Sequence, residues 1–124
     1  MNYTSIEQSK KLVELGLNEG TADMNYRYCV CKLIDGEPKE DWLLGVGKPF
    51  DECPEEQIPC WSVGALIELM PEMTMLVRVA TAKHASYFVD FGPDRHFTQY
   101  YNTAIEAAYD MVCWLLENNY IKKE

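Results

Sequence analysis

"MTMLVRVATAKHASYFVDFGPDRHFTQYY", residues 73 to 101, is the stretch on which the fold turns. Three runs in it, 73–80, 84–91 and 95–101, are rich in β-branched and aromatic residues, the composition of strands. Thr-Ala-Lys joins the first two and Gly92-Pro93-Asp94 the last two. Links so short and polar suit hairpins, which predicts an antiparallel meander. Alternation puts Met73, Met75, Val77 and Val79 on one face, with Ala85, Tyr87, Val89 and Phe91 on the next strand. The pattern of the third run leaves its register open.

A helix follows at once. Thr103 and Glu106 form a T-x-x-E capping box, and Ile105, Ala108, Tyr109, Val112, Leu115 and Leu116 fall at the spacing of a core stripe. Glu106, Asp110 and Glu117 define the wet side, and the helix closes near Asn118-Asn119, with Lys122 and Lys123 beyond. A second apolar column runs beside the first: Ala104, Ala107, Met111 and Trp114. A helix lying on a small sheet buries a stripe of about 100°, so this column needs a cover of its own. Either the first helix or an acidic loop supplies it, or Ala107, Met111 and Trp114 form an interaction surface for a homodimer or for a host or phage protein. Tryptophan is among the residue types most enriched at binding hot spots.

Working outward, Thr4 and Glu7 spell another capping box, and Gly16 supplies a left-handed stop with Leu17 folding back on Leu12. The first helix is therefore expected from about Ser5 to Leu15. The run YRYCVCKLI, 26 to 34, reads as a strand ending at Asp35-Gly36. From about 35 to 58 the Gly and Pro breakers predict a long acidic loop with a short extended piece around Trp42 to Val46. In IPCWSVGALIELMP, 58 to 71, Pro59 suits a first helical turn, Ser62 a cap, and Pro71 a stop. Between Trp61 and Met70 only Ser62 and Glu68 are polar, which predicts a central, buried helix. Together these elements give an α+β fold, an antiparallel sheet of three to five strands packed against about three helices. The 124 residues fit a single domain.

Twenty acids against eleven bases give a formal charge of −9. Such a chain repels phosphate backbones, which excludes direct nucleic-acid binding. Between Asp35 and Glu56 eight acids face only Lys39 and Lys48. Asp51, Glu52, Glu55 and Glu56 are therefore a candidate acidic surface, able to mimic nucleic acid toward a basic partner. The first residues, MNYTSIEQSKK, lack the basic and apolar regions of a leader, and no run approaches the roughly 18 apolar residues of a membrane span. The expected location is cytoplasmic, where the five cysteines would stay reduced.

Cys29, Cys31, Cys53, Cys60, His84 and His96 are the residues from which a metal site could be built. Their C-x-C and C-x₆-C spacings are not the C-x₂₋₄-C pairs of structural zinc. His84 and His96 lie in no nucleophile motif, and Gly45-Val46-Gly47-Lys48 lacks the full phosphate-loop pattern, with Pro49 where Ser or Thr belongs. Neither a cofactor nor a catalytic residue is expected.

The helix PCWSVGALIELMP, the tail TAIEAAYDMVCWLLENNYI and the opening Thr-Ser-Ile-Glu-Gln together resemble a group of small proteins of unknown function encoded in prophages and mobile elements of gut anaerobes. The resemblance spans most of the chain. It implies a mobile-element origin and an α+β fold, and it carries over no catalytic residue. The functional expectation is a non-enzymatic interaction or accessory module, with an acidic nucleic-acid mimic or a small thiol- or metal-dependent enzyme as alternatives.

Overall fold

Caps decide where the helices begin and end. The computed structural model describes residues 2–32, 36, 38–47 and 56–123, with the side chains of 29–32 and 38–41 outside the description. Helix α1 (Ile6–Glu14) starts one residue later than the Thr4–Glu7 box predicts. Its cap is Ser5: the Gln8 N–H donates to Ser5 Oγ at 3.1 Å, and the Ser5 N–H donates to Gln8 Oε1 at 3.0 Å. Thr4 is buried and engaged elsewhere. Its N–H donates to the Trp61 carbonyl at 2.9 Å, the Trp61 N–H returns to Thr4 Oγ1 at 3.1 Å, and Ser9 Oγ lies 2.8 Å from the same hydroxyl. Two boxes overlap in the sequence, and a long-range contact selects between them.

The far end of α1 matches its reading. Gly16 sits at φ +96°, the Leu17 N–H donates to the Leu12 carbonyl and the Gly16 N–H to the Val13 carbonyl, both at 3.0 Å. Helix α3 (Ala104–Glu117) ends the same way: Asn119 takes φ +63°, with Tyr120 N–H on the Leu115 carbonyl and Asn119 N–H on the Leu116 carbonyl. At its start Thr103 accepts from the Glu106 N–H, but Thr103 Oγ1 donates to the Glu106 carboxylate at 2.9 Å, so the return arm of the box meets the hydroxyl.

Among the described residues the strands form two antiparallel sheets. In the first, β1 (Met24–Lys32) lies between β2 (Pro38–Val46) and β3 (Gln57–Cys60). Much of the expected acidic loop is thus strand, because β1 offers two edges and both are taken. Pro59, expected in a first helical turn, stands instead on β3, an outer strand that tolerates a missing N–H. Helix α2 (Val63–Leu69) begins only after Ser62, which caps it by accepting from the Ala65 N–H and is itself held by Asp23. It is not the buried central helix the sequence suggests. Only Leu66 is fully buried, while Gly64, Ile67 and Glu68 reach solvent. The large core residue of this segment is Trp61, with its Nε1–H donating to Thr21 Oγ1 at 2.9 Å.

The second sheet is the expected meander, in the order β4 (Thr74–Ala80), β5 (Ala85–Phe91), β6 (His96–Phe97). The architecture is α+β, with antiparallel sheets packed against three helices among the described residues. The main core joins Leu12, Leu17, Trp61 and Leu66 to Val89, Phe91 and the buried side of α3, and a smaller one gathers Tyr26, Ile58 and Cys60. No helix among the described residues is long and apolar enough to cross a membrane.

Candidate interaction surface

The second apolar column of α3 is covered inside the chain. Ala107 and Met111 are fully buried in the main core, so neither offers surface to a partner. Trp114 is half-buried: the His96 imidazole stacks on it at 4.0 Å between ring centroids and 7° between planes, Tyr120 stacks at 5.7 Å, and Phe91 meets it at 6.0 Å. The cover over Trp114 comes from two places. They are the β6 strand and the turn after α3, which the left-handed Asn119 folds back so that Tyr120 reaches the preceding helical turn.

Of the candidate acidic surface, Asp51, Glu52 and Glu55 lie outside the described residues, and Glu56 is exposed. Cys53 also lies outside, as do the side chains of Cys29 and Cys31. Among the described residues no group of three or more His, Cys, Asp or Glu is placed to hold a metal. Cys60 is fully buried, and burial raises its thiol against the opposing hydrogen bonds from Thr4, Tyr26 and Ser9. Burial likewise pushes the Cys113 thiol up to about 11, with a Tyr109 bond pulling the other way and Glu117 and Asp110 adding to the rise. A nucleophilic thiol needs the opposite shift.

The surface that stands out is a face that the alternation grouped with Ala85, Tyr87, Val89 and Phe91 of the next strand. In the observed register Ala80 pairs with Ala85, Val77 with Phe88 and Met75 with Asp90. Met75, Val77 and Val79 therefore share a face with Phe88, Ser86 and Asp90, and the face of Tyr87, Val89 and Phe91 receives Leu76 instead. The reason is the hairpin loop. It holds four residues, 81–84, closed by the Thr81 N–H on the His84 carbonyl at 2.7 Å, where the sequence reading allowed three. One residue of slip moves every side chain of a strand to the other face. The parity of the loop was the signal that could have revealed this.

The consequence is an apolar sheet face turned to water. Met75 is 58% exposed, Val79 43%, Phe97 60% and Tyr100 67%, and none of them belongs to either core. Phe97 reaches this face by pairing with Asp90, and Tyr100 by packing on Phe88 at 5.1 Å. Between the two aromatics lies a hollow of about 330 Å³ lined by Phe88, Asp90, Phe97, Thr98 and Tyr100. Thr98 fixes its floor, with its Oγ1 accepting from the Val89 N–H at 3.0 Å and its own N–H donating to the Val89 carbonyl at 3.0 Å. Asp90 is the one acidic or basic side chain among the residues named on this face.

Compared with protein-family models, with curated proteins and with solved structures, the chain matches none.

Proposed function

We propose that the chain is a non-enzymatic protein-interaction module, an accessory factor of a mobile element, that docks through the outward face of β4, β5 and β6. One observation carries the reading: a strand whose apolar residues alternate is turned with Met75, Val77 and Val79 outward, and adjacent aromatics extend the same patch. Contiguous exposed apolar surface of this kind marks interaction sites, and a local pattern that conflicts with the fold tends to fall where function requires it. The mobile-element part rests on the resemblance carried by the Pro-Cys-Trp-Ser stretch with α2 and by the C-terminal helix. The raised thiols of Cys60 and Cys113 do not favour the thiol-enzyme alternative.

The test is affinity capture from host cells, with the wild-type chain and a Met75→Lys/Phe97→Lys variant as baits. Both positions are mostly exposed, so circular dichroism should show an unchanged fold. Proteins retained through this face should vanish from the variant's eluate. Identical eluates would place docking elsewhere and end this reading.

A further inference from the structure

We infer that the occupant of this face is a second copy of the chain, packed sheet on sheet about a two-fold axis. The inference rests on the docking reading above and adds the partner. Composition argues for it first. Interfaces between partners that also live apart are about as polar as ordinary surface, whereas homodimer faces are more apolar and their centres are depleted of charge. On this face Met75, Val77, Val79, Phe88, Phe97 and Tyr100 surround a single carboxylate, on a chain of net charge −9. Two such chains approach one another with least repulsion across a surface that carries almost none of that charge.

Area argues for it next. With a large side chain presenting roughly 150–250 Å², the exposed parts of Met75, Val79, Phe97 and Tyr100 amount to on the order of 400 Å² per copy, twice that for a pair, against the ~1,000 Å² a biological interface must clear. Val77, Phe88 and the rim supply the remainder. Shape and polarity are also self-complementary, as a two-fold contact demands. Met75 and Val79 stand along β4 on either side of Val77, so a half-turn about the Val77–Phe88 row, in the plane between the sheets, sets Met75 of each copy against Val79 of the other. An axis through the Val77–Phe88 row sets each Asp90 toward the Val79–Ser86 end of the other copy. The two carboxylates then lie at opposite ends of the contact, beside a serine hydroxyl and near water.

Sedimentation of the purified full chain over a dilution series tests this. The wild type should run at twice 14.3 kDa. Met75→Lys and Phe97→Lys, tested singly, should each weaken association by at least about a hundredfold, because each would bring an ammonium, opposite Asp90 on the neighbouring strand, into an otherwise apolar contact where desolvation outweighs the pairing. Ile67→Lys, on the exposed side of α2, should leave the dimer in place and controls for the added charge. Added sodium chloride should tighten the wild-type dimer by screening repulsion between the copies. A dimer that survives both face variants is held elsewhere, the outer edge of β4 included, and overturns the inference. So does a dimer that salt weakens. A monomeric wild type whose captured partners still depend on Met75 and Phe97 overturns the second copy and leaves the docking reading intact. A monomer with unchanged partners overturns both.

Discussion

Thr4 carries more of the tertiary structure than its place before a helix suggests. Its hydroxyl serves Trp61 and Ser9, and its carbonyl accepts from Tyr26 Oη at 2.7 Å and from Cys60 Sγ at 3.3 Å. Ser5 is left to cap α1, so Ser5→Ala should cost about 1 kcal/mol in urea unfolding while Glu7→Ala changes stability by less than about 0.5 kcal/mol. The reverse order would return the box to Thr4 and Glu7. Gly16 is a second such point: an added Cβ would suffer the left-handed backbone and meet Lys123 Cβ at 3.2 Å. Gly16→Ala should therefore destabilise by at least about 1–2 kcal/mol, read in the same assay. Titration belongs to this scale as well. The Cys113 thiol rises from 9.0 to about 11, so between those values the folded chain holds a proton that the unfolded chain has released. Its stabilising contribution is whole below pH 9 and is lost as pH climbs toward 11. Tyr101 adds a loss from pH 10 upward, because its hydrogen bond to Asp110 pushes it to about 12. Cys113→Ala should flatten the fall of melting temperature between pH 9 and 11, and an unchanged slope there would remove Cys113 as its source.

At the scale of elements the hairpin of β4 and β5 is the decisive unit. Its four-residue loop fixes which alternate residues of β4 meet the core. Leu76→Ala should cost about 2 kcal/mol by thermal or chemical unfolding, whereas Val79→Ala should stay within about 0.5 kcal/mol at concentrations where the chain is monomeric. Equal costs would contradict the register. The existence of β4, β5 and α3 was legible in their composition and periodicity, and so were the stops at Gly16 and Asn119, because local chemistry dictates them. The face of β4 was not, since alternation gives two faces without saying which is inside. Strands β2 and β3 were legible only as a fragment and a supposed helical turn. Strand β2 pairs with β1, its neighbour in sequence, whereas β3 reaches β1 from beyond the whole of β2, a pairing that no local pattern encodes.

For the whole molecule, charge and apolar surface pull in different directions, and salt separates them. An acidic mimic of nucleic acid would lose its basic partner as ionic strength rises, because exposed charge pairs are screened. Association through the β4–β6 face should persist or strengthen. Measuring binding across a salt series therefore discriminates the two on the sign of the slope. The candidate surface on α3 fails for a reason that also belongs to this scale. Width of an apolar arc on one helix counts the neighbours it needs, and here β6 and the chain after Asn119 supply them through His96 and Tyr120.

The α+β class, the meander, the helix stops and the excess of acid follow from the chain's own order of residues, because propensity, caps and charge act over a few neighbours. The tertiary structure alone decided that Thr4 serves Trp61, that β1 is flanked by β2 and β3, that Trp114 is covered, and that Met75 and Val79 face water. Some of these depend on which distant segments meet and others on the length of a link, and a one-residue difference in a loop is enough to exchange the inside of a strand for its outside.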